Sequence, residues 1–166
     1  YSGSRGLGDV YKRQPILHTT PRWLSEKVHF HLQQLTNLVP PRVRAAVFST
    51  IWNRWNTHRR WQRRHWESNK CLLGCNATAE DSIEHYCQCQ VVRTVLHKTL
   101  NLPHHRMAGL HTFMLCNTNI TTQEELICVA LLVYATYNTT NQYRHQPPPT
   151  NCSSVDTVTQ WIREGA

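Results

Sequence analysis

CLLGCNATAEDSIEHYCQC, residues 71–89, holds four of the chain's seven cysteines and one of its eleven histidines. Whether these side chains meet at one metal ion decides the fold, because in a small module the binding free energy of the ion is folding free energy. Asp81 followed three residues later by Glu84 resembles a capping box, which predicts a helix from about Ser82 carrying Ile83, His85, Tyr86 and Cys89. On that helix His85 and Cys89 are four residues apart and share a face. Cys87 lies two residues from each, roughly 200 degrees round the helix, and is the spare thiol. Cys71 and Cys75 span a turn with Gly74 before the second thiol, where a residue free to take positive φ lets both sulfurs converge.

The result is C-x3-C-x9-H-x3-C, a Cys3His set of Cys71, Cys75, His85 and Cys89 suited to tetrahedral Zn²⁺. With every position filled by protein and three of them thiolates, the site carries about −1 and is closed, hence structural. Binding contributes on the order of 10 kcal/mol to folding. An all-cysteine set with Cys87 in place of His85 is the alternative, and it requires residues 85–89 to form a turn.

The flanking sequence reads as helix. Trp23, Leu24, Val28, His31, Leu32, Leu35 and Leu38 recur at three- and four-residue steps, predicting a helix over about 22–38. Pro40 and Pro41 punctuate it and start the next, with Val43, Val47, Phe48, Ile51, Trp52 and Trp55 on one side and an end near Asn56 and Thr57. Trp52 and Trp55 are expected in the core as a continuation of that stripe. CQVVRTVLHKTLNL predicts a short helix stopped before Pro103, and HRMAGLHTFMLCNTN is irregular. Thr121 with Glu124 forms a capping box for a long helix to about Tyr143, whose apolar middle makes it the axis of the core. QPPPTNCSS is a linker before a final helix with Val155, Val158, Trp161 and Ile162 on one side. No stretch alternates apolar and polar long enough for a sheet. The expected fold is mainly α, a small helical domain with an embedded Cys3His zinc module.

The expected organisation is a non-native leader at 1–14, an N-terminal helix at 15–40 and a basic helix and loop plus zinc module at 41–110. A long core helix at 111–146 and a Pro-rich linker with a short helix at 147–166 complete it. The opening YSGSRGLGDVYKRQ has no hydrophobic periodicity and looks like sequencing-adapter read-through, so the chain is expected to be a fragment. Seven cysteines, an odd number, and no apolar leader disfavour a secreted disulfide framework and suit an intracellular compartment. The longest apolar run, LICVALLVYA, falls far short of the roughly 20 residues a bilayer crossing needs, so no membrane span is expected.

The net charge of +8 is unevenly spread. Residues 41–70 carry Arg42, Arg44, Arg54, Arg59, Arg60, Arg63, Arg64 and Lys70 against Glu67 alone, which makes a polyanion such as nucleic acid the natural partner. Arginine binds phosphate bidentately, and an exposed indole offers a stacking platform worth about 1–3 kcal/mol per base. The candidate nucleic-acid contacts are Arg54, Arg59, Arg60, Trp61, Arg63 and Arg64. Trp66 is left open between core and contact. His29 with His31, and His104 with His105, lack thiol or acid partners at ligand spacing and are expected to be core or solvated. Cys116, Cys128 and Cys152 are expected to be small buried hydrophobes.

The order IWNRWNTHRRWQ, C-x3-C with glycine before the second Cys, EDSIEHYCQC, VVR and later LLVYATYNTTNQYRH resembles the C-terminal zinc-binding region of reverse transcriptases from non-LTR retrotransposons. The resemblance runs from about Pro41 to His145, and its sharpest part is EDSIEHY leading to Cys89. It implies the same four ligands, upstream polymerase domains in the same polyprotein, a nuclear and cytoplasmic setting, and a role in holding template RNA or target DNA. The x3 spacing of the first cysteine pair is wider than the x2 of many members. No Tyr-x-Asp-Asp type carboxylate pair is present, so two-metal nucleotidyl transfer is not expected of this chain, which is read as a binding module and not an enzyme. The alternative is a zinc-stapled protein-interaction domain without direct nucleic-acid contact.

Overall fold

The structure is a computed structural model that describes residues 22–58, 70–76, 78–103, 109–146 and 153–166, with side chains from Glu26 onward. Its elements are α1 (Arg22–Leu38), α2 (Pro41–Ile51), α3 (Ile83–Tyr86), α4 (Gln90–Lys98), α5 (Leu110–Phe113), α6 (Gln123–His145) and α7 (Ser154–Gly165). Among the described residues there is no strand, only an isolated antiparallel bridge between Lys70 and Glu80. The domain is mainly α, as its periodicity predicts.

The apolar middle of the long helix makes it the axis. Val129 to Thr136 of α6 are buried without a break, and α7, α2, α1, α4 and α5 all pack against it. A helix buried all round must be wrapped by neighbours on every side. The far end of α7 comes close to α6, where a Cβ on Gly165 would sit 2.9 Å from the Tyr134 ring and 3.0 Å from Leu131. In its second half α6 buries hydroxyls: Thr136 Oγ1 donates to Leu132 O, and Tyr143 OH donates to Thr157 Oγ1 of α7 at 2.8 Å. Among the described residues, no helix is long and apolar enough to cross a membrane.

Three local expectations are corrected. The capping box of α6 is one residue later than predicted: Thr122 Oγ1 accepts from Glu125 N, and Glu125 accepts in return from the Thr122 backbone. Thr121 joins the same carboxylate through its own N–H and hydroxyl, which is why both registers look alike in sequence.

Helix α2 ends at Ile51 and does not reach Asn56. Asn53 takes φ +47, Asn53 N donates to Thr50 O and Arg54 N to Ser49 O, the paired bonds of a Schellman motif. This turn separates the two tryptophans expected together in the core. Trp55 is 1% exposed, whereas Trp52 at the cap is 49% exposed. Trp55 lies beside Tyr86, Phe113 and Tyr137, with ring centroids 5.4 to 6.5 Å away, and its Nε1 donates to Thr50 Oγ1 at 2.8 Å. One indole thus joins α2, α3, α5 and α6.

The third correction concerns the segment predicted irregular. Gly109, at φ +111, leads into the single turn α5, and Phe113, Met114, Leu115 and Cys116 that follow are all buried. His31 Nδ1 lies 2.8 Å from Leu115 O, so this histidine is a partnered core group whose pKa is lowered by burial, as its place on the apolar stripe suggests. His29 is exposed, Cys116 is buried and Cys128 is half-buried. His104, His105, Cys152 and most of the Pro-rich linker lie outside the described residues.

Candidate metal centre

Residues 71–89 fold as predicted at one end and differently at the other. Gly74 adopts φ +70 and its N–H donates to Cys71 O at 3.0 Å, closing the turn that brings Cys75 back beside Cys71. Nothing lies within 4 Å of a Cβ built there, so the glycine is required by conformation and not by space. Cys71 N donates to Ala79 O at 2.7 Å, which pairs the two arms of the module next to the Lys70–Glu80 bridge.

The helix on the other arm is shorter than predicted. Ser82 caps it by accepting from His85 N at 3.1 Å, and it ends after Tyr86. Cys89 is therefore not on the helix of His85 but is the N-cap residue of α4. His85 and Cys89 still meet, because the turn at Cys87 and Gln88 changes the chain direction between them. Cys87 is buried, its thiol donates to Glu84 O at 3.0 Å, and burial pushes its pKa up to about 12. It stays a neutral thiol, outside the cluster.

Asp81, expected in a capping box, instead anchors the module to the core. Its two oxygens, 3% exposed, accept from Tyr86 OH at 2.7 Å, His58 N at 2.8 Å and Arg144 Nη2 of α6 at 3.0 and 3.1 Å. A carboxylate in a capping-box pattern gave no sequence signal of an arginine 63 residues away.

The donor atoms of Cys71, Cys75, His85 and Cys89 all lie within 4.8 Å of one another and form a Cys3His group that could hold a metal ion. Cys71 Sγ is 3.9 Å from Cys89 Sγ, and Cys75 Sγ is 3.2 Å from His85 Nε2. Cys71 and Cys89 are buried; Cys75 and His85 are half-buried and form the outer edge. The electrostatics are those of crowded sulfurs. The Cys89 thiol, helped by the amides of Cys75 and Leu73, holds Cys71 down at about 5. Cys89 is raised in turn by Cys71, and Cys75 is raised by burial. The N–H groups of Gln90 and Val92, in the first turn of α4, favour the ionised forms of Cys75 and Cys89. A divalent cation would complete this cradle of thiols and backbone N–H groups, since it favours every thiolate at once.

Of the predicted nucleic-acid contacts, Arg54 is exposed just beyond the end of α2. Arg59, Arg60, Trp61, Arg63 and Arg64 lie outside the described residues, as does Trp66. Sequence reading missed Phe48 and Trp52 as exposed groups, 44% and 49% accessible on one face at the end of α2. The available signal was Asn53, a residue tolerant of positive φ that breaks the apolar stripe between Trp52 and Trp55. No protein-family model matches the chain, and no curated protein or solved structure matches it significantly.

Proposed function

We propose that the chain is a zinc-stabilised nucleic-acid-binding module, the C-terminal piece of a retroelement reverse transcriptase that holds template RNA or target DNA. The observation that carries this reading is the convergence of Cys71, Cys75, His85 and Cys89, whose order resembles that family although the x3 spacing of the first pair is wider than the x2 of many members. Tetrahedral Zn²⁺, with Zn–S about 2.3 Å and Zn–N about 2.0–2.1 Å, needs edges of about 3.8 Å between sulfurs and about 3.6 Å between sulfur and nitrogen. The Cys71–Cys89 distance of 3.9 Å is close to the sulfur–sulfur edge, and the Cys75–His85 distance of 3.2 Å is shorter than the sulfur–nitrogen edge. All four donors lie within 4.8 Å of one another, and side-chain rotations would be needed to seat the ion. When bound, zinc supplies a structural cross-link and no open coordination position for chemistry.

The basic stretch supplies the second half of the reading. Arg54 and the run Arg59, Arg60, Trp61, Arg63, Arg64 provide phosphate and stacking partners, and polymerase chemistry belongs to domains upstream in an intracellular polyprotein, nuclear and cytoplasmic. A second reading, a zinc-stapled protein-interaction domain, is favoured by the way Asp81–Arg144 and Trp55–Tyr86 tie the module into the helical core.

Two experiments test the proposal. Cobalt substitution should give thiolate charge-transfer and tetrahedral d–d bands in the wild type and in Cys87→Ser, and lose them in Cys89→Ser; absence of bands in the wild type refutes the metal site. RNA binding should weaken steeply with salt and vanish on charge reversal of Arg59, Arg60, Arg63 and Arg64. Unchanged binding in that variant removes the assignment of phosphate contact to Arg59, Arg60, Arg63 and Arg64, and absence of RNA binding by the wild type leaves the stapled interaction domain.

A further inference from the structure

Between Glu26 and Glu67 the chain contains no Asp or Glu. Within that stretch, α1 and α2 enclose an open groove of about 570 Å³, lined by Leu32, Gln33, Thr36, Arg44, Phe48 and Arg54 among others, none of them acidic. Helix α2 turns Val43, Ala46, Val47, Thr50 and Ile51 inward, and leaves Phe48 and Trp52 outward at i and i+4. Their rings lie 6.2 Å apart, tilted by 34°. Arg44 reaches across the groove, its Nη1 donating to Thr36 Oγ1 of α1 at 2.8 Å. Arg54 also lines the groove, and its backbone is held by the Schellman bond from its N–H to Ser49 O.

We infer that this groove, together with the Trp52 ring that stands beside its lining residue Phe48, is a stacking subsite for single-stranded nucleic acid, with a base against Trp52 and Phe48 and the flanking phosphates at Arg44 and Arg54. Two exposed aromatic faces beside two guanidinium groups match the alternation of base and phosphate along an unpaired strand, and a duplex hides those base faces. Charge selects the occupant: a surface with cations and no carboxylate on its lining attracts a polyanion, and the aromatic pair separates a nucleic acid from a polyanion without bases. The inference rests on the nucleic-acid reading above and gives it a site among the described residues, separate from the run 59–64.

The test is fluorescence anisotropy of the full chain with a labelled short oligouridine, an abasic oligonucleotide of the same length, and polyglutamate as competitor. Trp52→Ala should weaken oligouridine binding about 5- to 100-fold and leave abasic binding unchanged. Trp52→Phe should restore most of the loss, and Arg44→Gln should weaken both ligands. Because Trp52 is at the surface, loss of fold in Trp52→Ala is readily excluded by comparing its circular dichroism with that of Trp52→Phe. Wild-type affinity of Trp52→Ala for oligouridine overturns the subsite while leaving salt-dependent binding elsewhere intact. Polyglutamate displacing oligouridine from wild type but not from Trp52→Ala assigns the groove to acidic peptides and also overturns it. No binding of oligouridine by the wild type at low salt removes the nucleic-acid reading itself.

Discussion

Replacing Asp81 by alanine removes the acceptor of four hydrogen bonds at once. The Tyr86 hydroxyl and the His58 N–H, in residues 0% and 7% exposed, lose their acceptor in a place where water does not readily replace it. Each such orphaned group costs about 1–3 kcal/mol. Arg144, with a side chain 16% exposed, loses its ion-pair partner but can turn part of its guanidinium to solvent, so its share belongs at the low end. The sum is about 3–7 kcal/mol, a large part of the ~5–15 kcal/mol that stabilises a domain of this size. Tyr86→Phe removes one donor to Asp81 and the acceptor of the half-buried Leu72 N–H, and leaves Asp81 with its other partners, so it should cost only about 1–2 kcal/mol. Urea unfolding of the metal-loaded proteins, followed by circular dichroism, measures both. A loss under 1 kcal/mol for Asp81→Ala with an unchanged urea slope refutes the view that this carboxylate fastens the module to α6. The double variant Asp81→Ala/Arg144→Ala then reports the pair's coupling directly, since the two groups touch.

Further predictions concern the metal site and its supports. With Cys71 lowered to about 5 and Cys75 and Cys89 raised, uptake of a divalent metal at pH 7 should release about two protons. Affinity should therefore fall as pH falls, and titration calorimetry in buffers of different ionisation enthalpy counts the protons; none released refutes the ligand set. Gly74→Ala should cost about 1 kcal/mol or more through strain at φ +70 alone, and Gly74→Asn less, measured as thermal stability of the loaded protein. Thr50→Val should cost about 1–3 kcal/mol by leaving the buried Trp55 indole N–H without its acceptor, which urea unfolding detects.

The parts of the molecule visible in sequence are those set by neighbours along the chain. Helix α1 follows from apolar spacing, and Gly74 marks its own turn. The metal quartet is legible because thiols and imidazole are rare enough that their clustering narrows the choice of donors. It is found despite an incorrect local geometry: the expected single helix through His85 and Cys89 is a one-turn helix, a turn and a helix cap. Where a residue's role depends on a distant partner, local patterns fail. Asp81 has the spacing of a cap, but Arg144 and Tyr86 use its charge more strongly than the backbone does. Trp52 and Trp55 fit one stripe until the Schellman turn sends them to opposite environments.

Two neighbouring residues hold the chain on either side of the segment 59–69. His58 is fastened through its N–H to Asp81, and Lys70 is bridged to Glu80. The span between those two fixed points is thus closed by the module and not by its own length. A change of length between Cys71 and Cys89 should weaken metal uptake, because the four candidate ligands span that segment. Because Glu80 and Asp81 belong to the metal module, unfolding of that module would release His58 and Lys70 together.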